Sequence, residues 1–351
     1  MEVAPVPRVY FEPIGEEIDC DEDETVLDAS FRQGYSLVHG CREGQCSACK
    51  CYLLEGEVAL KRYSTFALSD SEQDSGYTLL CRAMPEEDLT VELLHFDPDN
   101  YRSEFVISTI ETTVHAVEPL SHDISRVVVQ LPEGAEFPYR PGSYADIHVP
   151  GDAEARRSFS MANLPGEGRL EFIVKRYPGG AISGLLEDES IAGGVSLTVT
   201  GPYGAFALRD NDRAVLMIAG GSGMAPQLAL LRHMVQEGID RPTRFFYGAR
   251  GTRDLIEIAE LERLGAALPN FRFVPVLSDA DDDAEWSGEA GMVHEAVARY
   301  LADGELGSDF EAYLCGPPPM VEAAQEMLES FGIDVSQIHF DKFTTSVAVG
   351  G

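Results

Sequence analysis

Four cysteines constrain this chain more than any other feature of its sequence. Cys41, Cys46 and Cys49 have the spacing C-x4-C-x2-C, and Cys81 follows further along the chain. This is the ligand spacing of plant-type [2Fe–2S] sites. Glycines and other small residues in the loop allow its backbone to wrap around a cluster and direct amide N–H groups at the sulfurs. A structural zinc site is the alternative, but such sites usually have two paired knuckles, and only Cys46 and Cys49 form such a pair.

The length and the cysteine usage limit the class of protein. A chain of 351 residues is long enough for two or three domains, each with its own core. No run approaches the ~18 apolar residues of a membrane span, and the first residues lack the pattern of a signal peptide. Cys20, Cys51 and Cys315 are scattered outside the motif, which fits a reducing compartment better than a disulfide framework. We therefore expect a cytoplasmic protein in which Cys20 and Cys51 are packing residues.

The charge balance is strongly acidic. The formal net charge of −34 argues against binding to nucleic acid or to an anionic membrane surface. Residues 1–100 carry 22 acidic and 7 basic side chains, a net charge of −15. Such a charge can serve solubility alone. It can also form an acidic docking face for a basic protein partner.

Residues 1–100 are predicted to form one compact α+β domain. A hairpin is expected over 8–20, and a Thr25-x-x-Asp28 capping box then begins a short helix that ends near Gly34. Strands are predicted at 51–54, 77–80 and 89–94 on either side of the last cysteine.

Two further domains follow a polar linker. Over 105–210, short β runs between Pro/Gly turns predict an antiparallel barrel, with strands at 125–129, 144–149, 170–175 and 195–200. Over 211–351, strands alternate with helices, which predicts a parallel α/β sheet. Its strands are expected at 214–219, 243–247, 271–276, 312–315 and 338–340, and its helices at 224–237, 254–264, 291–302 and 318–331.

A glycine-rich turn begins the third domain. An apolar strand leads into Gly220-Gly-Ser-Gly223, and a helical pattern containing Pro226 follows. Glycines at a strand-to-helix turn let the backbone approach a pyrophosphate, and the helix N-terminus supplies N–H donors. A plain tight turn would have similar glycines. The end of the next strand carries Arg250 and Arg253 with no acidic residue at that point, so the choice between NADH and NADPH stays open.

A second candidate site lies in the barrel region. Arg157 suits a phosphate, Phe159 can lie against a flat ring, and the Ser160 hydroxyl can bond a ring nitrogen. An ordinary polar strand with no ligand could have the same residues. The segment from Gly180 to Ser183 precedes an apolar stretch and can begin a helix that faces a pyrophosphate. The segments 140–144 and 201–204 are interpreted as turns.

Taken in this order, the motifs resemble a known family, the reductase components of bacterial soluble di-iron monooxygenases of the methane, propane or alkene type. The resemblance spans nearly the whole chain. It rests on the cysteine motif, Arg-x-aromatic-Ser, Gly-x-x-Ser, the glycine turn, Cys315-Gly316-Pro317-Pro318 and Phe340-Asp341-Lys342-Phe343. It implies a multidomain fold with a β-grasp [2Fe–2S] ferredoxin domain, an antiparallel β-barrel FAD domain and a parallel-sheet, Rossmann-like NAD domain.

The resemblance also implies roles for individual residues. The cluster ligands would be Cys41, Cys46, Cys49 and Cys81. FAD would be held by Arg157, Phe159, Ser160, Lys175, Gly180 and Ser183. The nicotinamide dinucleotide would contact Gly220, Gly221, Gly223 and Pro226, with Cys315 and Gly316 beside the nicotinamide. The residues in catalytic positions would be Ser160, Cys315 and Phe343, the last covering the flavin ring. The family commonly has tyrosine where Phe159 stands, and residues 344–351 extend past Phe343.

The function expected from this resemblance is electron transfer from NAD(P)H through FAD and a [2Fe–2S] cluster to the hydroxylase of a di-iron hydrocarbon monooxygenase. The reductase of a Rieske-type ring-hydroxylating dioxygenase has the same modular order and is an alternative. A redox-sensing or zinc-stabilised binding protein is an alternative from another class.

Overall fold

The computed structural model describes residues 6–94, 96, 101–102, 104–151, 155–177, 180, 182, 194–280, 285–304 and 306–343. These residues form two compact units. The first runs to Ile107 and includes Tyr203–Ala205, and the second contains Ser108–Pro202 and Phe206–Phe343.

The first unit is built on a five-stranded mixed sheet with the order β2-β1-β7-β3-β5. Its strands are β1 (Arg8–Glu12), β2 (Glu16–Asp19), β3 (Lys50–Glu55), β5 (Tyr77–Leu79) and β7 (Leu89–Leu93). A separate antiparallel pair consists of β4 (Val58–Leu60) and β6 (Ala83–Pro85). Strand β1 pairs antiparallel with β2 and parallel with β7, so the predicted hairpin is confirmed.

Two helices belong to this unit. Helix α1 (Val26–Arg32) begins where predicted, because the Thr25 hydroxyl accepts the N–H of Asp28 at 3.2 Å. Val26 and Leu27 on its inner side are fully buried. Helix α2 (Asp70–Asp74) was not predicted, since it buries no residue and therefore has no hydrophobic pattern.

The second unit contains the antiparallel barrel. Its six strands follow the order β11-β10-β13-β8-β9-β12. They are β8 (Ser108–Pro119), β9 (Ile124–Gln130), β10 (Tyr144–His148), β11 (Arg156–Ser160), β12 (Arg169–Lys175) and β13 (Ser196–Tyr203). An antiparallel bridge between Met161 and Phe172 joins the two ends of this sheet, which nearly closes the barrel. The four predicted strands are confirmed, and the long strand β8 was not predicted.

The same unit contains a six-stranded sheet with the order β17-β16-β15-β14-β18-β19, in which every pairing is parallel. Its strands are β14 (Ala214–Gly220), β15 (Thr243–Ala249), β16 (Phe271–Leu277), β17 (Glu289–Ala290), β18 (Phe310–Gly316) and β19 (Ile338–Lys342). Its helices are α3 (Met224–Glu237), α4 (Ile258–Ala267), α5 (Val293–Ala302) and α6 (Pro318–Ser330). The predicted strand and helix alternation is confirmed.

The strand order of this sheet positions a ligand crevice. From β14 the chain adds β15, β16 and β17 on one side and then returns to place β18 and β19 on the other. Ligands of open α/β sheets bind outside the carboxyl ends of the strands at such a switch point. The carboxyl ends of β14 and β18 therefore mark the expected site. None of the helices in the described residues has the length and apolarity needed to cross a membrane.

Candidate functional site

The four cysteines of the motif come together in the first unit. Cys41, Cys46 and Cys49 lie in the loop between α1 and β3, and Cys81 follows β5. Cys46, Cys49 and Cys81 are buried, and Cys41 is half-buried. Close packing requires the small residues of the loop. A Cβ added to Gly40 would lie 2.9 Å from the Cys46 sulfur, and one added to Gly44 would lie 2.7 Å from the Cβ of Tyr63.

Backbone N–H groups in this loop point at the sulfurs. Cys41 donates to the Sγ of Cys46 at 3.2 Å, and Gln45 and Glu43 donate to the Sγ of Cys41 at 3.2 and 3.4 Å. The Cys46 thiol and then these amides lower the pKa of Cys41 to about 6, against the opposing effect of burial. Donors that stabilise sulfur in its thiolate form are the donors an iron–sulfur cluster requires. The loop therefore fits a [2Fe–2S] cluster.

The cluster loop is also held by a segment distant in sequence. His39 accepts the N–H of Gly204 on Nε2 at 3.1 Å, and its Nδ1 lies 2.6 Å from the Leu37 carbonyl oxygen. The guanidinium carbon of Arg42 lies 3.9 Å from the centroid of the Tyr203 ring. The interpretation of 201–204 as a turn was wrong for its first three residues, which form the end of β13, and Tyr203 and Gly204 support the cluster loop.

The residues predicted to hold FAD are placed at two faces of β11. Arg157 and Phe159 are half-buried on one face, and Ser160 is buried on the other because strand residues alternate. The Phe159 ring packs edge-on against Phe172 of the barrel core, with centroids 6.4 Å apart. At the end of β12, Lys175 pairs with Asp123 at 3.4 Å.

The segment predicted to face the FAD pyrophosphate is described only in part. Gly180 donates its N–H to the carbonyl oxygen of Tyr177 at 2.9 Å, and Ser183 lies outside the described residues. Just before this segment, the Nε of Arg176 is buried without a partner among the described residues. A buried guanidinium N–H with no partner fits an anionic ligand such as a pyrophosphate. No sequence motif predicted this role for Arg176.

The residues predicted to be in catalytic positions come together at the carboxyl end of the parallel sheet. The Ser160 hydroxyl donates to the Oδ2 of Asp341 at 3.3 Å. Asp341 is paired in register with Cys315, whose thiol is fully buried. Burial and then Asp341 raise the pKa of Cys315 well above its usual value. Phe343 donates its N–H to Gly316 at 2.9 Å. Ser160, Cys315 and the backbone of Phe343 are therefore brought to one place.

Asp341 is the residue that the sequence analysis missed at this place. It lies inside the motif Phe340-Asp341-Lys342-Phe343, in which only Phe343 was given a role. It is 181 residues from Ser160 in the chain. The available signal was a carboxylate within a motif that already contained one candidate residue.

The glycine turn meets β18 at the predicted crevice. A Cβ added to Gly223 would lie 2.2 Å from the carbonyl oxygen of Cys315, and one added to Gly220 would lie 2.8 Å from the sulfur of Met320. Gly221 has a φ of 57°, and its carbonyl accepts the Tyr247 hydroxyl at 3.0 Å. Pro226 lies in the first turn of α3. Gly220 and Gly223 are therefore required for the packing of the turn against β18 and α6, and the positive φ of Gly221 favours glycine there.

Three family models match consecutive parts of the chain. A 2Fe-2S iron-sulfur cluster binding domain matches residues 9–86, an oxidoreductase FAD-binding domain matches 111–208, and an oxidoreductase NAD-binding domain matches 217–326. The reductase component of propane 2-monooxygenase from Mycolicibacterium goodii is 45% identical over 97% of this chain and 98% of its own length. The chain belongs to the monooxygenase reductase family. It is thus an NAD(P)H-dependent flavin and iron–sulfur oxidoreductase whose function is electron transfer.

Other relatives of this reductase serve different oxygenases. The electron transfer component of toluate 1,2-dioxygenase from Pseudomonas putida is 32% identical over 94% of this chain and 95% of its own length. The crystal structure of the Amycolatopsis cytochrome P450 reductase GcoB has a TM-score of 0.83 and 31% identity, covering 97% of this chain and 99% of that one. Reductases similar to this chain over nearly its whole length therefore occur with more than one class of oxygenase.

The Ser160–Asp341 contact leads to a first prediction. Replacing Ser160 with alanine removes a hydrogen bond to a charged group, so we expect anaerobic flavin reduction by NADH to slow about tenfold. Stopped-flow spectroscopy of the holoenzyme measures this rate. The matched control is Ser158→Ala, because Ser158 makes an equivalent bond to Asp146 at 2.7 Å on the same strand. Equal rates in the two variants would show that Ser160 has no special role.

Proposed function

We propose that this reductase passes electrons from NADH through FAD and a [2Fe–2S] cluster to the hydroxylase component of a soluble di-iron hydrocarbon monooxygenase. Its full-length likeness to a propane 2-monooxygenase reductase component supports this partner class. The single observation that carries the route is the convergence of Ser160, Asp341, Cys315 and the glycine turn at one crevice.

The proposed cofactor sites use the residues described above. The cluster is assigned to Cys41, Cys46, Cys49 and Cys81. FAD is assigned to Arg157, Phe159, Ser160, Lys175, Gly180 and Ser183, with Arg176 added from the structure. The nicotinamide dinucleotide is assigned to Gly220, Gly221, Gly223 and Pro226, with Cys315 and Gly316 beside the nicotinamide and Phe343 over the flavin ring.

Each part of the proposed route has a chemical reason. When bound, FAD accepts the two electrons of a hydride together and releases them singly, as a one-electron [2Fe–2S] cluster requires. The protein contributes position and exclusion of water. Ser160 is buried and hydrogen-bonded to Asp341, and Cys315 is fully buried, so both side chains are shielded from water. No residue has to act as a general base, because a hydride moves without a separate proton transfer.

Visible spectroscopy of the purified protein under anaerobic conditions tests this function. Flavin and iron–sulfur bands that bleach after stoichiometric NADH support the route and its direction. A cofactor-loaded protein with bands that neither NADH nor NADPH bleaches would overturn it. A colourless protein that contains zinc and no iron would favour the binding-protein alternative, for which the family models give no support.

A Rieske-type dioxygenase is the second candidate partner, because a relative from toluate 1,2-dioxygenase matches 94% of this chain. Reconstitution distinguishes the two. Electron delivery to a di-iron hydroxylase but not to a Rieske oxygenase supports the first proposal, and the reverse result supports the second.

Salt dependence tests the acidic docking face. The net charge of −15 on residues 1–100 should speed encounter with a basic partner. Since exposed charges are screened beyond about 8 Å at physiological ionic strength, we expect the second-order rate of cytochrome c or hydroxylase reduction to fall steeply with added salt. Cluster reduction at saturating NADH is the control, because it needs no partner. A flat salt response of partner reduction would refute the docking face.

We also propose a reducing, cytoplasmic location. All seven cysteines are free, including the buried Cys20 and Cys51, which are not in the cluster motif. Free thiols persist where glutathione and thioredoxin keep them reduced. Cell fractionation with an antibody to the reductase tests this location.

A further inference from the structure

Three charged residues, Arg250, Asp123 and Asp254, lie together at the carboxyl end of β15, and none of the three was assigned to a cofactor above. Arg250 is the first residue after this strand. Its guanidinium donates to Asp254 at 2.8 Å and lies 3.4 Å from the carboxylate of Asp123. Asp123 belongs to the hairpin between β8 and β9 of the barrel and also pairs with Lys175 at 3.4 Å. The carboxylates are the more buried partners, with side-chain exposures of 21% for Asp123 and 9% for Asp254 against 52% for Arg250.

This cluster lies beside the strand end at which the dinucleotide is expected to bind. Strand β15 is the parallel neighbour of β14, whose carboxyl end carries the glycine turn. The Tyr247 hydroxyl near the end of β15 bonds the Gly221 carbonyl at 3.0 Å, so the two strand ends lie side by side. In dinucleotide-binding sheets, the residue after the second strand meets the adenosine ribose. An acidic group there accepts the 2′-hydroxyl of NADH, and a free arginine accepts the 2′-phosphate of NADPH.

We propose that Asp123 and Asp254 make this reductase selective for NADH by occupying Arg250. This inference rests on the proposed function. A 2′-phosphate adds a charge of about −2 at neutral pH, and it would be repelled by the two carboxylates that already accept from Nη2 of Arg250. The ribose hydroxyls of NADH add no charge and meet no such repulsion. The acidic group absent from the strand end in the sequence is thus supplied by a barrel hairpin and by the loop after the strand.

Side chains of these types can also form a metal site. His122, Asp123 and Asp254 offer ligand atoms within 4.8 Å of one another. Arg250 and Lys175 already lie within 3.4 Å of these carboxylates, however. Two fixed cations repel a divalent metal and neutralise its ligands, so the cluster is better suited to controlling Arg250.

Arg253 provides an internal comparison. It lies three residues beyond Arg250, is exposed, and makes no ion pair with any described residue. If charge alone decided the nucleotide, Arg253 would attract NADPH whatever the state of Arg250. The two arginines therefore make different predictions for variants of Asp123.

The test measures nucleotide binding to the FAD- and cluster-loaded reductase. Calorimetry gives the dissociation constants of NADP⁺ and NAD⁺, and stopped flow gives flavin reduction by NADPH and NADH. We expect the wild type to bind NAD⁺ more tightly. In Asp123→Asn the ratio of the NADP⁺ to the NAD⁺ dissociation constant should fall about tenfold, as one charge-assisted hydrogen bond becomes available. Adding Arg250→Gln should remove that gain, whereas adding Arg253→Gln should not.

A matched control separates this effect from a change in overall charge. Glu118 is also a barrel carboxylate paired with an arginine, Arg126, at 2.9 Å. Glu118→Gln removes the same charge without touching Arg250 and should leave the ratio unchanged. A wild type that prefers NADPH, an unchanged ratio in Asp123→Asn, or a gain that depends on Arg253 would overturn the inference and leave the electron route intact. A loaded protein that binds and oxidises neither nucleotide would overturn both.

Discussion

Replacing Cys46 with serine should reduce electron delivery to cytochrome c or to the hydroxylase by more than about a hundredfold, since the loop then lacks one of four thiolate ligands. Reduction of ferricyanide by NADH should be retained, because that acceptor can take electrons from the flavin. The sulfur of Cys46 is buried in the loop, where the Cys41 N–H donates to it at 3.2 Å and a Cβ added to Gly40 would lie 2.9 Å from it. Steady-state assays compare the rates with the two kinds of acceptor, and iron analysis measures how much cluster the variant retains.

The control for this variant is Cys51→Ala. Cys51 is fully buried and lies two residues beyond Cys49, but it belongs to β3 and not to the cluster loop. Its replacement should leave iron content and cytochrome c reduction near those of the wild type. Survival of both activities in Cys46→Ser would exclude the proposed route through the cluster. Loss of iron from a fully folded Cys51→Ala protein would show that the cluster ligands have been assigned wrongly.

Replacing Gly223 with alanine should abolish reduction of the flavin by NADH. The added Cβ would lie 2.2 Å from the carbonyl oxygen of Cys315 and 2.6 Å from its carbonyl carbon, both of them backbone atoms of a central strand. The turn and β18 must therefore separate, which disturbs the crevice between them. Overpacking of this kind also costs about 1–3 kcal/mol of unfolding free energy. Anaerobic titration with NADH measures the first effect and thermal unfolding measures the second.

Two controls make this result specific. Dithionite should still bleach both cofactors in Gly223→Ala, because it needs no nucleotide site. Gly251→Ala is the matched substitution, since Gly251 follows the neighbouring strand, has no atom within 4 Å of an added Cβ and has a φ of −140°. It should bind NADH as the wild type does. Normal NADH reduction in Gly223→Ala would show that the turn does not approach the dinucleotide in the way proposed.

Much of the fold could be predicted because its signals are local. Strands β14 and β15 and helix α3 lie where the apolar runs at 214–219 and 243–247 and the helical pattern between them predicted. These patterns are visible from neighbouring residues alone. The Thr25 capping box lies within one helical turn. Elements without such patterns were missed. Helix α2 buries nothing, and β8 alternates mainly polar residues along most of its length.

The candidate site was predictable only where a motif is contiguous. The cluster loop and the glycine turn each occupy one short segment, and the structure keeps each segment together. Asp341 and Arg176 carry no local pattern of their own. Asp341 gains its place from Ser160 of the barrel, and Arg176 is notable only because its Nε is buried without a partner among the described residues.

The sequence by itself determined the cofactor class and the order of the modules. Cysteine spacing and the alternation of strands and helices are properties of a few neighbouring residues, which local sterics and hydrogen bonding convert directly into structure. Only the tertiary structure decided which groups face the same ligand. Ser160 meets Asp341 across 181 residues, and Asp123 meets Arg250 across 127. Such contacts depend on how strands order themselves in a sheet and how a hairpin packs on it, and no local periodicity encodes either.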